Sequence, residues 1–224
     1  MYQQIIAQDT NSPKPINTDI GIDVVESKLA FFKDVDGEPI FKESDIEVIK
    51  ANYNEQELAK LGLIIDTILQ NEPQGQFRMI HAADKIKAVL NNIGNKELDF
   101  ALDVLSFKSK DDVLFDIEYD NIFKLISPQD IPNMKFLLEY AKTGENPVLQ
   151  NINNLLDIAS DCRQFSPSEI RQILEMKNPD GSFVINKDNY FNLAKNKFKD
   201  LNLELTPERK AEIETKLENK YKLR

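Results

Sequence analysis

A phrase of a dozen or so residues recurs down this chain, and its spacing limits the possible folds more than any other feature. It reads LAFFKDVDGEPIF from Leu29, ILQNEPQGQFRMI from Ile68 and VLSFKSKDDVLF from Val104. It returns as LEYAKTGENPVL from Leu138 and ILEMKNPDGSFVI from Ile173. Each copy sets an apolar pair, polar residues, a turn residue and a second apolar pair in that order. The turn residues are Gly37, Gly75, Asp112, Gly144 and Gly181, spaced by 38, 37, 32 and 37 positions. A regular spacing of this length is the mark of tandem structural units.

What lies between the turns also repeats. A first apolar-periodic segment carries Ile46/Ile49, then Ile86/Val89/Leu90/Ile93, Ile122/Leu125/Ile126, Leu155/Ile158/Ala159 and Tyr190/Leu193/Ala194. A second carries Leu58/Leu61/Ile65/Ile68, Leu98/Ala101/Leu102/Leu105, Met134/Leu137/Leu138/Ala141 and Ile170/Ile173/Leu174. Offsets of three and four put each set on one helical stripe. Several helix starts are legible: Ser166-Pro167 with Glu169, Thr206-Pro207, Ser44 with Glu47, and, more weakly, Asn54 with Glu57 and Ser127-Pro128 with Asp130. The expected fold is therefore all-α: about five copies of a turn–helix–turn–helix unit of some 36 residues, stacked as an α-solenoid. A helix pair this short exposes an apolar face that only a neighbour can cover. The rival arrangement is an irregular bundle whose helices merely share a period.

Residues 1–27 read as an extended lead-in, broken by Asn11-Ser12-Pro13-Lys14-Pro15, with Ile20, Ile22 and Val24 alternating as in a short strand. The repeats would occupy 28–205, and 206–224 a capping helix with Ile213, Leu217 and Tyr221 on its apolar stripe. Arg209, Lys210, Lys216, Lys220, Lys222 and Arg224 make that helix basic.

The unit resembles the ankyrin class of helical repeat, in which a turn rich in Asp and Gly precedes two antiparallel helices. The resemblance runs from Leu29 to about Leu205. Gly37-Glu38-Pro39-Ile40 echoes the family's Thr-Pro-Leu-His opening, which is absent, as is the Gly-His that joins its two helices. The Trp-Leu-Gly-Tyr pattern of tetratricopeptide repeats is missing as well. What the resemblance implies is a stacked architecture, with no functional residue carried over.

Chemistry is sparse. Around Gly37 a calcium loop would need a ligand at Phe32, and around Gly181 at Met176, so both are read as turns. His81 is the sole histidine and Cys162 the sole cysteine; they lie two units apart and make no nucleophile–base pair. Cys162 is expected as a packed side chain and His81 as a surface or satisfied one. The carboxylates of Lys110-Asp111-Asp112 and of Asp116, Glu118 and Asp120 read as a solvated face, and Phe107, Phe115 and Tyr119 among them as packing of a turn. No catalytic, cofactor-binding or metal-binding residue is assigned, no cofactor is expected, and the protein-binding residues are left unassigned.

Net charge is −10, unevenly spread: residues 186–224 hold ten basic and seven acidic side chains, so the rest carry −13. An acidic body disfavours nucleic acid and favours basic protein surfaces. No basic region followed by an apolar run opens the chain, and no window is apolar enough to span a membrane. The expected location is cytoplasmic, with a non-classical export route left open. The function expected is a non-enzymatic scaffold that binds a protein partner. The alternatives are a spacer or part of a larger array with no tight partner, and an enzyme whose site lies in a groove.

Overall fold

The computed structural model describes residues 21–107, 119–190 and 206–222. Every regular element among them is helical. In chain order these are α1 Ile22–Leu29, α2 Glu43–Asn52, α3 Glu55–Asn71, α4 Arg78–Ala88 and α5 Leu98–Ser106. They continue as α6 Tyr119–Leu125, α7 Ile131–Ala141, α8 Ile152–Asp161, α9 Pro167–Glu175 and α10 Pro207–Lys222. A π-helical turn, Val89–Ile93, and 3-10 turns at Asn95–Glu97 and Pro147–Gln150 extend them. The all-α class holds. The strand-like alternation of Ile22 and Val24 does not: both lie in α1, because Val25 and Leu29, four apart, supply a buried helical stripe. Ile20 lies outside the described residues.

Local chemistry sets the helix starts. The Asn54 side chain accepts the Glu57 N–H at 3.0 Å while the Glu57 carboxylate accepts the Asn54 N–H at 2.8 Å. That reciprocal pair satisfies two amides that would otherwise lack partners. Ser166 and Glu169 do the same for α9, and the Thr206 hydroxyl accepts the Arg209 N–H at 3.2 Å. Two starts differ from expectation. In α2 the helix begins at Glu43, ahead of Ser44, with the Asp45 carboxylate accepting the Lys42 N–H. In α7 the cap position is Asp130, not Ser127, since Pro132 has no N–H to lose in a first turn.

The odd-numbered helices from α1 to α7 pack in file: α3 lies against α1 on one side and α5 on the other, and α5 continues onto α7. A second file runs α4, α6, α8. Between the files sits one continuous apolar core. The expected stripes Leu58/Leu61/Ile65/Ile68, Met134/Leu137/Leu138/Ala141 and Ile170/Ile173/Leu174 are all buried in it. Several described members of other stripes are not, the half-buried Leu90 and Leu105 among them. Leu102 is only half-buried, the fully covered places in α5 going to Leu98, Phe100, Ala101 and Val104. Leu125 is 66% exposed at the end of α6. Leu193, Ala194 and the side chains of Leu217 and Tyr221 fall outside what is described, and Tyr190 is half-buried.

The five turns are not one structure. Those at Gly37 and Gly181 are the same hairpin: Lys33 pairs with Pro39, and Lys177 with Phe183. In both, the glycine has φ +84°. Phe32 and Met176, Ile40 and Val184, and Phe41 and Ile185 take matching places, 144 positions apart. The hydrogen bonds match too. Ile40 N–H donates to the Phe32 carbonyl and Val184 N–H to that of Met176; Gly37 N–H donates to Asp34 and Gly181 N–H to Asn178. Gly75 is not among the positive-φ glycines, and nothing lies within 4 Å of where its Cβ would be. Gly144 is required for a different reason, as its Cβ would meet Leu149 Cδ1 at 2.5 Å. Asp112 lies outside the described residues.

Gly37→Val and Gly181→Val should each lower stability by about 1 kcal/mol or more, through forced positive φ alone, since no atom crowds either Cβ position. Gly75→Ala should be neutral or mildly stabilising. Chemical-denaturation midpoints of the three variants check the distinction.

Polar contacts also tie neighbouring helices together. Arg209 holds the Glu169 carboxylate at 2.9 Å and donates to the Gln164 carbonyl at 2.6 Å, fastening α10 to α9. The guanidinium, aided by the Ser166 amide and against the cost of burial, keeps the Glu169 carboxyl below its ordinary pKa. A lowered carboxylate contributes stability above the unfolded value that disappears as pH falls through the folded one. Stability should therefore fall as the medium drops below the ordinary carboxylate range. In Glu169→Gln, denaturant titrations across pH 5 to 3 should show a shallower acid loss.

Candidate functional site

In the second file, α4, α6 and α8 pack on one another, but α2 packs on α4 far less than α4 does on α6. The gap leaves a groove of about 520 Å³. Its floor is Phe41, Ile49 and Leu90, and Val48, Tyr53, Lys87 and Asn91 stand on its rim. Three local features make it. The first hairpin delivers Phe41 just ahead of α2, where its ring meets Phe32 edge-on at 5.5 Å. The π-helical turn after α4 moves Leu90 and Asn91 off the α-helical register, and Gly94, at φ +68°, turns the chain beneath them. Asn95 then closes one end, donating to the Asn52 carbonyl at 2.9 Å and to Glu57 Oε1 at 3.1 Å.

The groove combines apolar surface with unused polar groups. Val48 is 59% exposed although it lies one turn from the floor. Lys87 Nζ lies 5.4 Å from the centre of the Phe41 ring, a cation held by a π face. Burial, followed by the charge of Glu57, pushes the Tyr53 phenol up to about 12. Its hydroxyl has no hydrogen-bond partner among the described residues. A concave apolar floor with a few convergent polar groups is the usual form of a binding cleft.

A smaller hollow of about 400 Å³ lies at the other end, between α7, α9 and the second hairpin. Its charges are already engaged. Tyr140 donates to Glu175 at 2.6 Å, Arg171 lies over the Phe136 and Tyr140 rings, and Lys177 lies over Phe183 while pairing with Glu145. Burial together with Glu175 raises the Tyr140 phenol far above its ordinary value.

The residues singled out in the sequence do not converge. Cys162 is fully buried at the end of α8, its carbonyl taking the Asn133 amide at 3.0 Å. His81 is an exposed side chain on α4, stacked on Phe77, with Nδ1 3.5 Å from Glu72. Glu72 itself is buried and takes Lys85 Nζ at 2.6 Å. Among the described residues no three His, Cys, Asp or Glu side chains gather as metal ligands, and no helix is long and apolar enough to cross a membrane. Asp111, Asp112, Phe115, Asp116 and Glu118, with the side chains of Tyr119 and Asp120, lie outside the described residues. Phe107 is half-buried against the core. Sequence reasoning did not find the groove, whose one signal was Val48, an apolar residue off the Ile46/Ile49 stripe.

Comparison with protein-family models, with curated proteins and with solved structures finds no match for this chain.

Because the folded protein holds the Tyr53 proton more tightly than the unfolded chain, stability should fall as pH rises from about 10 to about 12. Tyr53→Phe should lose less stability across that window than the wild type, as read by denaturant midpoints at its two ends.

Proposed function

We propose that this chain is an α-solenoid of tandem two-helix units that acts without catalysis, as a scaffold binding another protein through the groove between α2 and α4. Three regularities support the stacked reading. Alternate helices pack in file, the two hairpins lie 144 positions apart, which is four units of 36, and polar links join side chains about one unit apart. Those links include Lys28–Asp66, Lys60–Asp99, Lys135–Glu97, Arg163–Asp130 and Arg209–Glu169, with separations of 33 to 40 residues. A stack of this kind spreads its surface instead of enclosing a pocket, which suits a macromolecular partner.

The observation that carries the binding reading is the groove itself, a concavity over the buried Phe41 and Ile49 and the half-buried Leu90, with Val48 exposed beside it and the Tyr53 hydroxyl without a partner among the described residues. Exposed valine on a helix that already has a buried face adds nothing to folding. In a docked complex it would be an anchor. The partner expected is a protein with a basic surface, drawn by the acidic body.

Bead-bound full-length protein should retain a partner from cells of the source organism, or of its host, that the Val48→Glu variant loses while melting at the same temperature. An identical retained set for both proteins would remove the groove from the account. Solution scattering tests the architecture: a radius of gyration near the roughly 17 Å of a compact chain of this length would favour a bundle. The stacked reading expects a clearly larger value.

A further inference from the structure

The sequence contains Asp-Gly twice, at Asp36-Gly37 and Asp180-Gly181, and each pair sits at the tip of one of the two matching hairpins. An aspartate before glycine is open to attack by its own main chain, because the following residue has no Cβ to shield the nitrogen. The backbones of the two tips agree. Both glycines have φ +84°, and their N–H groups donate to the carbonyls of Asp34 at 3.1 Å and Asn178 at 2.9 Å. Asp34 and Asn178 donate in turn to the carbonyls of Glu38 and Ser182. Nothing lies within 4 Å of a Cβ placed on either glycine.

The aspartate carboxylates differ. At the second tip Asp180 Oδ1 accepts the Ser182 hydroxyl at 2.6 Å and the Ser182 N–H at 2.9 Å. The same hydroxyl oxygen accepts Asn178 Nδ2 at 3.0 Å. The Ser182 hydroxyl, and then its amide, hold the Asp180 carboxyl below its ordinary pKa. At the first tip the equivalent amide, that of Glu38, is already donated to Asp34 Oδ1 at 2.9 Å. Glu38 also has no hydroxyl to stand in for that of Ser182. Asp36 therefore lacks both of the bonds that fix its counterpart.

We propose that Asp36 is a site of spontaneous main-chain isomerisation to isoaspartate in the folded protein, and that Asp180 is protected from it. The Gly37 nitrogen attacks Asp36 Cγ. The nitrogen gives up its proton and the protonated carboxyl its hydroxyl, the two leave as water, and a succinimide ring remains. Water then adds to one ring carbonyl. Addition at Cγ restores aspartate; addition at the main-chain carbonyl frees that carbon as a carboxylate and leaves the chain running through Cγ. At Asp180 both requirements are opposed, since the carboxyl must gain a proton and must leave Ser182 to present Cγ to the Gly181 nitrogen. The added main-chain carbon lies between the bridge partners Lys33 and Pro39, in the hairpin that delivers Phe41 to the groove.

Full-length folded protein, aged at physiological temperature and pH and then cut with trypsin, reports both sites in one sample, on the peptides Asp34–Lys42 and Asn178–Lys187. Electron-transfer fragmentation marks the isoaspartyl forms by cleavage beside the extra carbon. Isoaspartate should form at position 36 about fivefold or more faster than at position 180, the lost hydrogen bonds setting the scale. Equal rates, or a faster position 180, overturn the proposal. In protein aged in denaturant the two rates should converge, because both aspartates precede glycine. A gap of the same size there would belong to the neighbouring residues and not to the fold, and overturns it too. Ser182→Ala should raise the rate at position 180 in the folded protein, and a rate left unchanged by that substitution counts against the proposal in the same way.

Discussion

A short helix cannot cover its own apolar stripe, and the seating of α3 between α1 and α5 is the contact around which the remaining structure is arranged. Leu61, Ile64, Ile65 and Ile68 of α3 are all 2% exposed or less. Burying side chains of this size is worth about 1.5–3 kcal/mol each relative to exposure, before the entropy of ordering the chain is charged against it. No single helix could reach that coverage alone. The seam is shared, so each helix is held by the neighbour it also holds.

The groove follows from the same constraint applied incompletely. In the file of α4, α6 and α8 each helix is backed by the next, and their apolar faces are covered. Between α2 and α4 the π-helical turn and Gly94 divert the chain, and Asn92 is drawn away to the Phe123 carbonyl at 2.7 Å. Wide turns of this sort interrupt a regular ladder and often accompany functional sites. Leu90 is thus left half-buried beside the covered Phe41 and Ile49, in a hollow lined by Lys87 and Tyr53. A regular array would have closed it.

The stripes were legible because helical periodicity is a local property: α3, α7 and α9 bury the residues their three-and-four spacing named. Turn type was legible only where Asp or Asn stood three positions before the glycine, as at Asp34 and Asn178. Elsewhere the letter Gly concealed different needs: steric room at Gly144 beside Leu149 Cδ1, and neither crowding nor positive φ at Gly75. Phasing failed at Leu102 because α5 carries apolar residues on several sides, Leu98, Phe100, Ala101 and Val104, and periodicity could not rank them. The groove was invisible for a deeper reason. It depends on the spacing between two helices that are far apart in sequence, and no local pattern encodes an interhelical gap.

Charges along the first file add order more than strength. An exposed pair such as Lys60–Asp99 contributes about 0–1 kcal/mol, well below one buried isoleucine. Its value lies in which neighbours it permits. The start of α5 carries Glu97 and Asp99, where a helix N-terminus favours negative charge. Asp99 takes Lys60 from α3 on one side, and Glu97 takes Lys135 from α7 on the other. Lys60 and Lys135 sit at nearly the same place in their helices, six and five residues after the caps Asn54 and Asp130. Seating α3 directly on α7 would set lysine against lysine with the intervening carboxylates removed. Apolar stripes alone discriminate poorly between such neighbours. The sandwiched acidic pair discriminates, and so the order of these helices is written in surface charge while their cohesion is written in the seam.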